Sequence, residues 1–275
     1  MDREEIWQQF VRLADLPDGE IDLAEAALLI AATEYPDLDI EDQLAILDSL
    51  SGAARRRLTD ESNPLSCINN LSEYLFDEVG FRGNVDDYYD PRNSFLNEVL
   101  RHHLGIPITL SLVCLEVGKR LGIPLVGVGL PGHFLLRHLD EQDLFIDPFY
   151  RGILLSEEEC AQRLRQVTQA NVVWDPRYLT PVSNREFIVR ILRNLKGIYL
   201  SREDHRRALD IIDMLLVLRP DAVEERRDRG LVHYHLGRYV EAVDDLRKYT
   251  DAVPPGSDTE GVQRLIDRIQ DLLRS

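Results

Sequence analysis

Residues 104–149 read LGIPITLSLVCLEVGKRLGIPLVGVGLPGHFLLRHLDEQDLFIDPF, and their punctuation decides the fold. Two copies of Leu-Gly-Ile-Pro, at 104–107 and 121–124, bracket a segment with almost no polar face. Glycine after a helix supplies a left-handed residue, and a proline two positions on blocks continuation. One helix is therefore expected to end at Leu104, a second to run from about Ile108 to Leu121, and extended chain to follow Pro124. The second helix sends Ile108, Leu110, Leu112, Val113, Cys114, Leu115 and Val117 in most directions, so it is a buried one. At about 14 residues it is too short to span a bilayer.

Three short β-branched and aromatic runs follow: Pro124–Leu130, Gly132–His138 and Leu144–Phe149. Turn residues separate them, Glu141-Gln142-Asp143 between the last two, so they are expected to pair as antiparallel strands. This puts His133 on one strand and Asp147 on the next.

Helix, histidine strand and acid strand follow one another in the chain order of papain-like and transglutaminase-like thiol enzymes. That resemblance implies that Asp147 would orient the imidazole and His133 would act as a base. The segment resembles the transglutaminase-like core, and the whole chain resembles the SirB-type family, which joins such a core to C-terminal tetratricopeptide (TPR) repeats. The residues carrying the resemblance are Tyr89-Asp-Pro-Arg-Asn-Ser-Phe-Leu-Asn-Glu-Val-Leu, Gly105-Ile-Pro-Ile-Thr-Leu-Ser, Gly129-Leu-Pro-Gly-His-Phe-Leu and Phe145-Ile-Asp-Pro-Phe. Asp22–Ala31 and Glu34-Tyr-Pro-Asp-Leu fit its N-terminal region. Among the matched positions, Tyr89, Asn93, Asn97 and Pro107 are the candidates for binding. The resemblance implies a poorly defined, regulatory role.

One departure bears on chemistry. In active members of the superfamily the nucleophilic cysteine opens the buried helix, about four turns before the closing Gly-Ile-Pro. That count falls on Pro107–Thr109, where there is no cysteine. Cys114 lies about 9 Å further along the axis, on an apolar stripe with Leu110, Val117 and Leu121. A thiol there lacks the help of the helix N-terminus and reads as inert core. Thr109 and Ser111 offer hydroxyls nearer the right place, in an arrangement uncommon for a His–Asp pair to activate. A metal site through His133, His138 and Asp147 is disfavoured, because the two histidines are an odd number of residues apart and face opposite sides of a strand.

The composition sets the outer limits. The chain has 275 residues, 44% of them hydrophobic, enough for one large domain or two. A net charge of −17 argues against sequence-independent binding to nucleic acid or anionic membrane. Cys67, Cys114 and Cys160 are scattered and odd in number, suggesting neither a disulfide framework nor a metal site. No signal pattern opens the chain, so a cytoplasmic protein is expected.

Residues 1–104 read as helices. Glu4–Ala14 is amphipathic, Asp22 caps an Ala- and Leu-rich helix, and Ile40–Leu58 ends in the cations Arg55–Arg57. Asn63-Pro64 opens a helix through Leu65–Val79 that stops at Gly80. The loop 81–91 holds Asp86, Asp87 and Asp90 but lacks the glycine and glutamate of a calcium loop. The adjacent His102 and His103 are helix-end cations. After a further strand at 150–155, Ser156 and Glu159 form a capping box.

The segment 171–182, with Trp174, Pro176 and Pro181, reads as a linker packed on the core. From Ser183, which with Glu186 forms another capping pattern, helical hairpins begin. A 34-residue period aligns Leu195, Tyr199, Ala208, Ile212 and Pro220 with Arg229, His233, Ala242, Leu246 and Pro254. Gly230, Gly237 and Tyr239 also stand at TPR positions. Arg229 and His233 are the weak matches. Ser257 with Glu260 opens a last helix that would cap the array.

The expected architecture is α+β. A transglutaminase-like domain at 1–170 (helical 1–104, core 105–155) and a linker at 171–182 precede TPR-like helices at 183–275. The function this favours is non-catalytic, a protein or peptide partner held by the repeats and the core groove, with no cofactor and no metal. The alternative is a cysteine-type hydrolase or acyltransferase using His133 and Asp147 with a displaced nucleophile: Cys114, Thr109 or Ser111.

Overall fold

The computed structural model describes residues 2–274 other than Gln142 and Ala170, and Ser257 without its side chain. Gln142 of the expected polar turn and the expected Ser257 cap thus lie outside the described residues. The chain divides into two compact units, Met1–Ile191 and Leu192–Ser275, each taken here by itself.

In the first unit the local signals act as capping chemistry predicts. Asp2 closes a capping box with Glu5 at the start of α1 (Arg3–Ala14). The Asp22 carboxylate accepts from the Glu25 amide to open α2 (Leu23–Ala32), nearly all of which is buried. Helix α3 (Ile40–Arg55) ends at Arg55, three residues short of the expected Leu58. Asn63 caps α4 (Pro64–Ser72), with Pro64 in its first turn. The chain then runs into a π-helical turn over Glu73–Glu78, so the expected helix to Val79 is not one continuous α-helix. Gly80, at φ 89°, ends it.

The expected loop at 81–91 contains a strand that the sequence reading missed. β1 (Arg82–Gly83) pairs in parallel with β2 (Leu104–Gly105), on the far side of α5 (Leu96–His102). Helix α6 (Pro107–Leu121) follows and is buried along almost its whole length. The strands β3 (Leu125–Val128), β4 (Leu135–His138), β5 (Phe145–Asp147) and β6 (Ile153–Leu155) form one antiparallel sheet in chain order. Its register sets Val128 opposite Leu135, Leu136 opposite Ile146, and Asp147 opposite Ile153. Ser156 and Glu159 close the expected capping box on α7 (Glu157–Val167).

Residues 171–182 are laid onto the sheet. Trp174 and Tyr178 pack on the cluster of Val128, Leu130, Leu135 and Phe145. Pro181 bridges to Val128, and the Val182 amide donates to Gly127 O at 2.9 Å. Helix α8 (Asn184–Ser201) begins where Asp18 accepts from the Asn184 and Arg185 amides at 3.0 and 2.9 Å. The division between units falls inside α8, later than the segment 171–182, because Phe187 in its first turns is held edge-on by Phe134 of the core.

The glycines of the two Leu-Gly-Ile-Pro copies answer to different constraints. At the second, Gly122 adopts φ 81° as the left-handed cap of α6. At the first, the left-handed residue is His103 at φ 57°, and α5 ends at His102, not Leu104. Gly105 is instead a strand residue pressed against α6: a Cβ there would lie 2.9 Å from Thr109 Oγ1 and 3.1 Å from Leu110 Cγ. One glycine is required by a torsion, the other by a close approach.

The second unit continues α8 with α9 (His205–Leu218), α10 (Val223–His235), α11 (Tyr239–Ala252) and α12 (Ser257–Arg274). Ala208 and Ala242 are fully buried at the helix crossings, as the repeat requires. A Cβ on Gly230 would lie 2.7 Å from Leu246 Cγ. Arg229, a weak match to the repeat, donates to Asp245 (2.6 and 2.8 Å) and to Asp213 (2.9 Å). A charged network therefore stands where the period alone predicts an apolar residue.

Gly105→Ala is expected to destabilise the protein by about 1–3 kcal/mol through overpacking against Thr109. Gly122→Ala is expected to cost about 1–2 kcal/mol through backbone strain alone. Urea denaturation measures both. Thr109→Ala, which itself costs the buried hydrogen bonds to Ile106 and Asn93, is expected to cost less in the Gly105→Ala background than alone, the coupling that marks a steric cause; Gly122→Ala should show no such coupling.

Candidate functional site

The site is built where β4 and β5 run side by side. Gly132, at φ 72°, turns the chain, and the His133 amide donates to Leu130 O at 3.1 Å. His133 therefore sits in this turn, two residues before β4 begins, and not on the strand as the sequence reading expected. Asp147 is the last residue of β5. His133 Nε2 lies 3.0 and 2.9 Å from the two Asp147 carboxylate oxygens. Because the carboxylate engages Nε2, the reactive position left to the ring is Nδ1, which carries no hydrogen bond among the described residues.

Asp147 is fully buried, and its charge is met from two sides. Arg163 of α7 places Nε 3.0 Å from Asp147 Oδ2, within ion-pair range but off hydrogen-bond alignment. The Tyr150 amide reaches Oδ1 at 3.4 Å. The Arg163 guanidinium also stacks 3.8 Å over the Tyr150 ring. Arg190 of α8 holds the histidine turn from behind, donating to the carbonyls of both Leu130 and His133. Burial pulls the Arg190 guanidinium below its ordinary range.

Aromatic rings cover the imidazole. Phe149 and Tyr150 each stand 6.0 Å from the His133 ring centre, and Tyr88 packs edge-on to Phe149 at 5.9 Å. His133 is left only 3% exposed. Arg163, Arg190, Tyr88 and Tyr150 were not singled out from the sequence. Arginines on amphipathic helices read as solvated, and the aromatic residues carry no spacing that distinguishes cover from core.

The hydroxyl and thiol candidates lie elsewhere. Thr109 is fully buried; its Oγ1 donates to Asn93 O at 2.6 Å and accepts from the Ile106 amide at 3.1 Å. That hydroxyl closes the start of α6 and has no proton to spare for a base. Ser111 is fully buried with no hydrogen-bond partner for Oγ among the described residues. Cys114 is enclosed in the α6 core, and burial pushes its thiol up to about 12. Cys160 of α7 is equally enclosed in the cluster with Leu135 and Phe145; burial, reinforced by Asp147, raises it to about 12.

The candidate binding positions divide in the same way. The Asn93 amide is used internally: Nδ2 donates to the Asp87 and Tyr88 carbonyls, and Oδ1 accepts from Asn84. It pins the 84–90 loop to the first turn of α6. Asn97 is buried, with Nδ2 at 3.5 Å from Glu98 Oε1. Pro107 is a buried first-turn residue of α6. Tyr89 is 70% exposed, its ring against that of Tyr88. His138 turns away from His133, its Nδ1 accepting from the Asp140 amide at 3.2 Å. Among the described residues no three His, Cys, Asp or Glu side chains are disposed to hold a metal ion.

Residues 41–193 match a family described as the transglutaminase-like superfamily, and residues 195–274 match the tetratricopeptide repeat. A protein of Xylella fastidiosa (strain Temecula1) called UPF0162 protein is 39% identical over 264 residues, covering 93% of this chain and 92% of that one. A UPF0162 protein of Vibrio cholerae is 29% identical over 246 residues, 89% of this chain and 91% of its own. Human F-box only protein 21 is 28% identical over 208 residues, 69% of this chain and 32% of that protein. No solved structure matches.

Asp147→Ala is expected to lose about 3–5 kcal/mol of stability, because Arg163 and His133 are left buried without their shared partner. Asp147→Asn keeps the shape and a hydrogen bond to the imidazole and should lose less. Equal losses in a denaturation series would mean that the charge beside Arg163 carries the whole contribution and that the shape and the hydrogen bond to the imidazole are immaterial.

Proposed function

The chain belongs to the transglutaminase-like superfamily, and from that premise we propose that it is a non-catalytic, SirB-type member that binds a protein or peptide in the cytoplasm. The observation that carries this reading is the start of α6. Where a thiol nucleophile would sit, Thr109 is locked between Asn93 O and the Ile106 amide. The enclosed Cys114, its thiol raised to about 12, supports the same conclusion. So does the aromatic cover over His133.

TPR repeats generally serve as protein-recognition scaffolds, and a match to them spans residues 195–274. At the start of the second unit the basic side chains Arg193 and Lys196 are engaged by Glu225, and Lys196 also by Asp228. That pairing disfavours capture of an acidic peptide tail at this point. The net charge of −17 disfavours nucleic acid. Among the described residues no helix is long and apolar enough to cross a membrane.

One observation favours the second reading, a hydrolase or acyltransferase. The Asp147 carboxylate grips His133 through Nε2 and so leaves Nδ1 as the ring's proton acceptor. An imidazole so oriented is the form a thiol enzyme needs.

Labelling of native protein with a small thiol electrophile across pH, read for each cysteine by mass spectrometry, separates the two. A thiol raised to about 12 is protonated throughout the neutral range, so Cys114 is expected to stay unlabelled until the protein unfolds. Fast labelling of Cys114 at mildly acidic pH, abolished by His133→Ala, would overturn the non-catalytic reading.

A further inference from the structure

The end of α6 remote from Thr109 opens onto a cavity of about 430 Å³, within the range of small-molecule sites. Leu23 and Pro124 give it apolar walls, and Glu20, Asp22, Glu116 and Lys119 its charge. The negative pole of α6 adds to that charge where Gly122 lines the cavity.

The four charged side chains are not equivalent. Asp22 is satisfied, with Oδ1 capping α2 and Oδ2 held by Lys119 Nζ at 3.0 Å. The Glu116 side chain is only 3% exposed and sits deeper. Its Oε2 accepts from Arg120 at 2.5 Å, but Arg120 also gives its Nε to Asp48 at 2.7 Å. Glu116 Oε1 carries no hydrogen bond among the described residues. Burial, and after it the charge of Asp22, hold the Glu116 carboxyl above its ordinary range. A buried carboxylate with one oxygen unpaired therefore lines a cavity in which aliphatic side chains such as Leu23 and Pro124 stand beside the polar Glu20, Asp22, Lys119 and Asn184.

The setting reinforces this local imbalance. Residues 1–191 hold 33 Asp and Glu against 17 Lys and Arg, a net of −16, whereas residues 192–275 hold 16 against 15. Almost the whole negative charge of the chain belongs to the unit that contains the cavity, and a field of that sign concentrates cations at its clefts.

We propose that this cavity is a binding site for a primary ammonium group on a short aliphatic chain, either a free alkylamine or a lysine side chain, with Glu116 as its counter-ion. The ammonium donates to Glu116 Oε1, and its methylenes lie along Leu23 and Pro124. Lys119 supplies the same chemistry to Asp22 and competes for the site.

Calorimetric titration of the full chain tests it with four probes: butylammonium, butanol, butyrate and Nα-acetyl-lysine methylamide. Butylammonium is expected to bind saturably, while butanol and butyrate do not. Glu116→Gln should weaken it about tenfold, the loss of one charge-assisted contact. Lys119→Met, a change on the surface side of α6, should tighten it several-fold, which keeps the test open if Glu116→Gln fails to fold. Tighter binding of the lysine derivative than of butylammonium identifies a lysine side chain as the ligand, and the reverse identifies a free amine; both uphold the proposal. Absence of saturable butylammonium binding, equal binding of butanol, or affinity unchanged in either variant would overturn it.

Discussion

The structure of the first unit depends on enclosing α6. A helix with apolar side chains on nearly every face has no orientation that suits water, so the chain must surround it. The sheet β3–β6 supplies one wall, and α2, α3, α4 and α5 pack on other sides. The polar backbone at its start still needs partners inside that enclosure, and the Thr109 hydroxyl provides them by joining Ile106, Asn93 and the helix in one node. Gly105 has no side chain because that node leaves no room for one.

The same requirement shapes the candidate site. With the first turn of α6 committed to structure, the buried ionisable groups of the candidate site gather on the sheet side: the imidazole of His133, the carboxylate of Asp147 and the guanidinium of Arg163. A carboxylate with no exposure needs compensation on more than one side, which His133, Arg163 and the Tyr150 amide provide. Arg190 adds rigidity by tying both carbonyls of the turn that presents the histidine. An orienting device of this kind serves a base in a working enzyme and equally well holds a buried imidazole in one place.

Much of this was legible in residues. Asp22, Asn63, Ser156 and Gly122 cap where capping chemistry says they should, because a cap involves only neighbours along the chain. Short β-branched and aromatic runs between turn residues located the strands of the four-stranded sheet, and the 34-residue period located Ala208 and Ala242. Arg229 escaped it, since an arginine in an apolar slot makes sense only once Asp213 and Asp245 are seen beside it. The first Leu-Gly-Ile-Pro was misread for a related cause. The left-handed residue there is His103, one position before the motif, and the glycine answers to packing across β2 and α6.

The amino-acid sequence by itself determined the α+β class, the buried helix and the repeats that follow. Each rests on periodicity or on signals a few residues long, which act before the chain is folded. Tertiary structure alone decided which groups are available for chemistry. It consumed the Thr109 hydroxyl, buried Cys114 and Cys160, brought Arg163 to Asp147, and left one oxygen of Glu116 without a hydrogen bond among the described residues. Such outcomes depend on desolvation and on partners distant in sequence, and neither is written in the spacing of residues along one segment.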